Sequence, residues 1–297
     1  MIVEQILPLI VIFLIGYFFK LKNILAKKDS EIFGKLLMYL VIPAIIIDSF
    51  SKMVIDRSLI YLPIAGLITV MSLTVFGFLF ARILGLEKKI KGAFVTTFPT
   101  LEGGNIGYPF MFLIFGATGL SYVILFDIAN AFWLFTVVYF ISGRMGGNNT
   151  QIKSALNDLV RAPIIWAIVI GLFLNVIGFS NVLFSNILES IGGGLLLLVM
   201  LMLGLEFEPK IKSIKLPFVE IIIKTIVGFG IAVGLSSLFG FVGLTRIVFI
   251  LWATLPPSVV TLVFAQENKL DTKYIANLLS IAIPIWFVFV SVIIGYF

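Results

Sequence analysis

The chain is a succession of long apolar runs separated by short polar connections. A helix that crosses the hydrocarbon core of a bilayer takes about 20 mostly apolar residues. Ten runs meet that need, at roughly 5–20, 32–50, 59–83, 91–115, 118–141, 160–178, 183–206, 215–239, 245–266 and 273–296. Numbered spans 1 to 10, they predict an all-α polytopic membrane protein. No connection between them is long enough for a soluble domain. The longest, 142–159, carries Gly143, Gly146, Gly147, Asn148 and Asn149 and reads as a flexible connector. Span 1 reads as a span and not as a cleaved leader, because Lys20 and Lys22 follow its apolar stretch instead of preceding it.

The polar positions set the orientation. Cytoplasmic connections carry an excess of Lys and Arg. Seventeen of the 21 basic residues fall in the odd-numbered connections, among them Lys27, Lys28, Lys88, Lys89, Lys210 and Lys212. Only Lys52, Arg57 and Arg246 fall in the even ones, and Lys224 lies inside span 8. The odd connections are therefore expected in the cytoplasm and both termini outside, with the protein in the cell membrane. The net charge of +6 is this sidedness signal, reinforced by anionic headgroups. It is not a nucleic-acid footprint.

Weak echoes relate the two halves. Pro8 and Gly16 in span 1 repeat as Pro163 and Gly171 in span 6, and Leu62-Pro63 in span 3 repeats as Leu216-Pro217 in span 8. Proline-bearing spans follow both of the latter, with Pro99 and Pro109 in span 4 and Pro256 and Pro257 in span 9. A five-span unit that is duplicated must enter the membrane from the opposite side. The expectation is two inverted repeats of five, 1–141 and 160–297, joined by the cytoplasmic linker 142–159. Secondary transporters are commonly built this way.

Two spans are interrupted. Span 4 contains Pro99, Gly103, Gly104, Gly107 and Pro109 within eleven residues. Each interior Gly costs a helix about 1 kcal/mol and each Pro about 3. Span 9 carries Leu255-Pro256-Pro257-Ser258 near its middle. Non-helical backbone at membrane depth persists only where it is buried in protein or lines a wet cavity. Breaks at matching places in two halves point to a substrate site. The N-terminal end of a half-helix offers free amides and partial positive charge, which suit an anion, and a C-terminal end offers carbonyls, which suit a cation. Gly104, Asn105, Tyr108, Pro109, Pro256, Pro257 and Ser258 are the candidate substrate-binding residues.

These stretches resemble the auxin efflux carrier family of membrane transporters, which includes plant auxin exporters and bacterial permeases for malate, malonate and related acids. The resemblance rests on Leu7-Pro8 to Gly16-Tyr17, Tyr39-Leu40-Val41-Ile42-Pro43-Ala44 and Gly104-Asn105-Ile106-Gly107-Tyr108-Pro109. It continues through Arg161-Ala162-Pro163, Leu203-Gly204-Leu205-Glu206 and Leu255-Pro256-Pro257-Ser258 with Phe264-Ala265. It runs from about 7 to 290, and the break in span 4 is its most specific part. The family implies crossed broken helices 4 and 9, as in bile-acid sodium symporters. It implies a scaffold from spans 1, 2, 6 and 7 and a transport domain from spans 3–5 and 8–10, with homodimers formed through the scaffold. The chain resembles the short bacterial members, since it lacks a large central hydrophilic loop. Glu102 directly before the Gly-Gly pair is a feature of this chain that complicates a purely neutral anion pocket.

Charge inside hydrocarbon needs an account. Asp127 lies in span 5, with Asn130 three residues on and on the same helix face. Glu102, Asp127 and Asn130 are the candidates for ion coupling, as oxygen ligands for Na⁺ or as a site for H⁺; the alternative is a structural role at the half-helix ends. Lys224, with Glu220 four residues before it, reads as a self-neutralising structural pair. Asp48, Glu189 and Arg246 near outer span ends read as solvated interfacial charge, and Trp133, Trp166, Trp252 and Trp286 as anchors or packing.

Composition narrows the chemistry. Hydrophobic residues make up 61% of the chain and charged ones 12%, with a mean hydropathy of +1.19. Neither Cys nor His occurs, which excludes a disulfide framework, a thiol nucleophile, the usual zinc and haem ligands and a Ser-His-Asp triad. There is no phosphate-binding G-x-x-x-x-G-K-[ST] loop, so energy must come from gradients. The expected function is secondary transport of small organic anions by alternating access, with no resident cofactor and no metal site beyond a coupling Na⁺ or H⁺. A Na⁺-coupled carrier of larger amphipathic anions is the alternative, a channel comes after it, and an intramembrane enzyme based on Glu102 and Asp127 comes last.

Overall fold

The computed structural model describes residues 2–52, 57–147, 163–207 and 214–296, and every regular element among them is helical. Among the described residues, six helices are long and apolar enough to cross a membrane: Ser30–Ser51, Tyr61–Ile83, Gly103–Gly146, Val182–Leu205, Lys215–Phe239 and Thr272–Val290. Val11–Leu21, Pro163–Val176 and Gly243–Ala253 are shorter apolar helices. Large apolar side chains such as Val75, Ile226, Leu238 and Val288 are exposed along them, as expected for surfaces that meet lipid.

The helices deviate where the sequence provides a cause. Pro43 has no N–H and its ring crowds the carbonyl of Tyr39, and the turn Leu37–Val41 widens to a π-helix just ahead of it. Span 4 stops at Thr97, is irregular over 98–102, passes through a π turn at Gly103–Gly107 and resumes at Tyr108. Gly116 (φ 64°, ψ −159°) then turns the chain between the end of span 4 and the start of span 5, a left-handed conformation that favours glycine. Span 9 forms Gly243–Ala253, breaks over 254–259 and resumes as Val260–Glu267.

Three expectations are refined. Span 7 is one apolar stretch, Val182–Leu205, with a turn at Gly193 and Gly194 between Val182–Gly192 and Leu195–Glu206, where three successive glycines weaken the helix. The helix of span 5 runs to Gly146, so the expected connector begins later than 142, and its residues 148–159 lie outside the described residues. Glu220 and Lys224 attract each other, as their spacing suggests, but each takes its hydrogen bonds from other partners, as set out below.

The chain forms two compact units. The first comprises 1–55, 108–121 and 160–208. In it Ile2–Leu21 packs on Leu195–Glu206, and Ile42–Ser51 packs on Pro163–Val176. Both contacts are close because of glycine. A Cβ on Gly204 would meet the Phe13 carbonyl and lie 2.7 Å from the Tyr17 nitrogen, and one on Gly171 would lie 2.8 Å from Phe50 Cβ. Lys20 Nζ donates to the Phe207 carbonyl at 2.8 Å, and Asn175 Nδ2 donates to the carbonyls of Phe50 and Ser51 at 3.0 Å each. Asp48 is buried rather than freely solvated: it pairs with Lys52 at 2.8 Å and accepts from Ser185, while Glu189 takes the other side of Lys52 at 3.0 Å. Burial opposes the Lys52 charge, but the bonds to Asp48 and Glu189 outweigh it and hold the ammonium above its ordinary range.

The second unit comprises 56–107, 122–159 and 209–297. Lys215–Phe239 packs against Tyr61–Ile83, Gly243–Ala253 and Thr272–Tyr296. Its buried charges serve the breaks. Lys224, 2% exposed, donates to the Leu255 carbonyl at 2.8 Å, just before Pro256. Glu220, 0% exposed, accepts from the Thr97 hydroxyl at 2.6 Å and from the Tyr274 hydroxyl. The i,i+4 spacing places both on one face, but the carbonyl and the two hydroxyls supply the hydrogen bonds that a buried charge needs.

Gly204→Leu should therefore lower the thermal unfolding temperature in detergent, since overpacking costs about 1–3 kcal/mol. Gly230→Leu, where a Cβ meets nothing, should not. Lys224→Met leaves the Leu255 carbonyl unpaired and should destabilise by about 1–3 kcal/mol, seen as earlier loss of cooperative unfolding.

Candidate functional site

The two breaks meet inside the second unit. The Glu102 amide donates to the Pro256 carbonyl at 2.8 Å, which ties one interrupted backbone directly to the other. A Cβ on Gly107 would lie 2.8 Å from Leu255 Cδ1, so the absence of a side chain there allows the approach. Several freed backbone groups then find partners. Asn130 brackets one residue: its Oδ1 accepts from the Leu101 N–H at 3.3 Å and its Nδ2 donates to the Leu101 carbonyl at 2.9 Å. The Ser258 N–H donates to Thr100 Oγ1 at 3.1 Å.

Glu102 is the hub. It directly precedes the π turn Gly103–Gly107 that leads into the resumed helix. Its carbonyl accepts from the Gly107 N–H at 3.0 Å, the wide closure of the π turn. Its Oε1 accepts from the N–H and the Nδ2 of Asn105 at 3.2 and 3.0 Å. Its Oε2 accepts from the Val259 N–H at 2.7 Å, at the start of the half-helix Val260–Glu267. One carboxylate thus sits on the amino ends of both half-helices, where free donors and helix dipoles favour negative charge.

Asp127 lies beside it. Its Oδ1 accepts from Asn130 Nδ2 at 2.8 Å and from Trp252 Nε1 at 2.9 Å. A Cβ on Gly103 would collide with this carboxylate, so glycine there lets Asp127 lie against the broken backbone. Among the described residues no group of three or more His, Cys, Asp or Glu is arranged to hold a metal ion.

Of the residues singled out in the sequence, Glu102, Asn105, Asp127, Asn130, Pro256 and Ser258 come together here, and Gly104 and Pro257 lie in the same breaks. Gly104 and Asn105 are half-buried, Val259 is exposed, and a Cβ on Gly104 would enter open space. Tyr108 and Pro109 are buried in the first turn of the resumed helix and group with the first unit. Trp252, Thr100, Thr97, Tyr274 and the anchor role of Lys224 were not anticipated. Their partners lie 31 to 158 residues away in the chain, and local spacing carries no signal of them.

Comparison with known proteins gives the same direction. Residues 1–294 match the family described as membrane transport protein. An uncharacterized transporter of Methanothermobacter thermautotrophicus is 25% identical over 294 residues, covering 95% of this chain and 96% of its own. Another, of Methanocaldococcus jannaschii, is 26% identical over 284 residues, or 92% of each chain. The uncharacterized transporter YfdV of Escherichia coli is 28% identical over 191 residues, or 59% of each. With its several apolar helices, this multi-pass membrane chain belongs to the membrane transport protein family, that of the auxin efflux carriers which its sequence resembles.

Proposed function

We propose that this chain is a secondary active carrier of small organic anions, carboxylates above all, that works by alternating access at the crossing of its two broken helices. The observation that carries this reading is the convergence of two half-helix amino ends on one carboxylate, that of Glu102. The chain's own side chain displays the ligand chemistry these ends accept. The opening beside Gly104, with Asn105 half-buried and Val259 exposed, gives a carboxylate from solution a way in.

The same reading counts ten spans in two inverted halves. The helical stretch Gly103–Gly146 has 44 residues, which would extend about 66 Å, twice the hydrocarbon thickness. The turn at Gly116 divides it into the end of span 4 and span 5. Pairings also recur between halves. Span 1 packs on span 7 while span 6 packs on span 2, and span 3 meets span 8. The echoed glycines, Gly16 and Gly171, both sit at such close contacts, against Leu201 and Phe50. The first compact unit holds spans 1, 2, 6 and 7 together with 108–121, and on this reading spans 1, 2, 6 and 7 act as the scaffold, through which a homodimer forms. The second carries the site and is the moving part. The same reading puts it in the cell membrane with both termini outside, an orientation that the basic odd-numbered connections favour.

A thermal-shift screen of purified protein with acetate, malonate, malate and larger amphipathic acids tests this, because a bound ligand stabilises by mass action. Small carboxylates should stabilise; a response only to large amphipathic anions, or to none, would refute the assignment. Asn105→Ala removes one donor to a charged group and should weaken carboxylate binding about tenfold or more while the protein still unfolds cooperatively. Gly104→Leu fills the opening and should abolish uptake into liposomes with little change in unfolding temperature. Saturable, gradient-dependent uptake by the wild type excludes a channel.

A further inference from the structure

The amino ends assigned above to a substrate carboxylate are already taken, and the occupant is part of the chain. Glu102 is 5% exposed, and both of its carboxylate oxygens are held by N–H donors from Asn105 and Val259. It forms no ion pair with Lys or Arg among the described residues. The charged group facing it is Asp127, whose Oδ1 is engaged by Trp252 and Asn130. From the second break it is faced by Ser258 and the Val259 amide, which are uncharged. Lys224, the cation buried in this unit, points its ammonium to the Leu255 carbonyl.

A substrate carboxylate and the Glu102 carboxylate cannot use the same amides at once. Two buried anions side by side without a cation also repel, and together with Asp127 they would make three. A sodium ion at Glu102 does not resolve this, since hydrogen atoms of the donor groups point at the oxygens where a cation would sit. A proton does. Protonated Glu102 carries no charge, and one of its oxygens becomes a donor with no use for an amide N–H.

We propose that Glu102 is a tethered competitor of the substrate and the proton site of this carrier, so that each carboxylate enters with one proton. The inference rests on the carboxylate-site reading above. The step makes no bond to the substrate. A proton from the aqueous side to which the site is open adds to a Glu102 oxygen, the side chain releases the Asn105 and Val259 amides, and the substrate carboxylate takes them. On the other side the substrate leaves, Glu102 loses its proton to water, and its carboxylate returns to the amides.

The test uses the full-length protein and malonate and malate as probes. Wild-type affinity for both, measured where each stays fully ionised, should fall about tenfold per pH unit once Glu102 is deprotonated. Binding in weakly buffered solution should take up about one proton per site. Glu102→Gln cannot titrate, and its affinity should no longer vary with pH. Should that variant fail to fold, Glu102→Asp and Asp127→Asn decide, because both keep a titratable acid at 102 and should retain the proton uptake. Uptake lost in Asp127→Asn, a pH slope that survives in Glu102→Gln, or wild-type binding indifferent to pH overturns the role of Glu102. Absence of binding by every acid of the screen at any pH overturns the carboxylate site itself, a result distinct from these.

Discussion

A backbone that leaves its helix inside hydrocarbon must still satisfy every N–H and C=O, because no water is there to do it. The second unit of this protein is organised around that requirement. Breaking spans 4 and 9 frees the polar groups of Leu101, Glu102, Leu255, Ser258 and Val259. Each is met by a specific partner: Asn130 for both groups of Leu101, the Pro256 carbonyl for the Glu102 amide, Lys224 for the Leu255 carbonyl, Thr100 for the Ser258 amide and Glu102 for the Val259 amide. The buried charges follow from the breaks. Lys224 caps a carboxyl end and Glu102 caps two amino ends, each with the sign its helix dipole favours.

This arrangement shows how a chain without His or Cys buries charge beside its broken helices. Its tools are two acids, one lysine, a few amides and hydroxyls, and the dipoles of short helices. The two acids beside the breaks differ in their company. Asp127 is held by the indole of Trp252, in the last turn of Gly243–Ala253, and by the side-chain amide of Asn130 on its own helix. Glu102 is held by the backbone amide of Val259 and by Asn105, groups that belong to the breaks themselves. The first reads as framework and the second as the responsive element.

Sequence reasoning reached the elements whose cause is local. Proline and glycine at 99–109 and 255–258 announce the breaks, because their cost to a helix is intrinsic. Asp127 and Asn130 could be paired because three residues is one helical turn. The same rule was incomplete at Glu220 and Lys224: their charges do interact, but spacing does not choose hydrogen-bond partners, which are the carbonyl of Leu255 and the hydroxyls of Thr97 and Tyr274. Trp252 offered only bulk to a reader of sequence, yet its indole nitrogen meets Asp127 across 125 residues. The glycine run at 192–194 was visible but unremarked, and it puts a turn within span 7. The family was legible from the Gly104 to Pro109 stretch, because so many helix-breaking residues so close together in an apolar span are distinctive.

The bond between Glu102 and Val259 spans 157 residues. A ribosome adding about 5–20 residues per second takes roughly 10 to 30 s to cover that distance. Through that interval the first break exists in the nascent chain while the backbone that completes it has yet to be made. Its open amides and the Glu102 carboxylate must be sheltered by water, the insertion machinery or a temporary partner. Biogenesis, as much as transport, is therefore a reason for the first half of this protein to depend on the second.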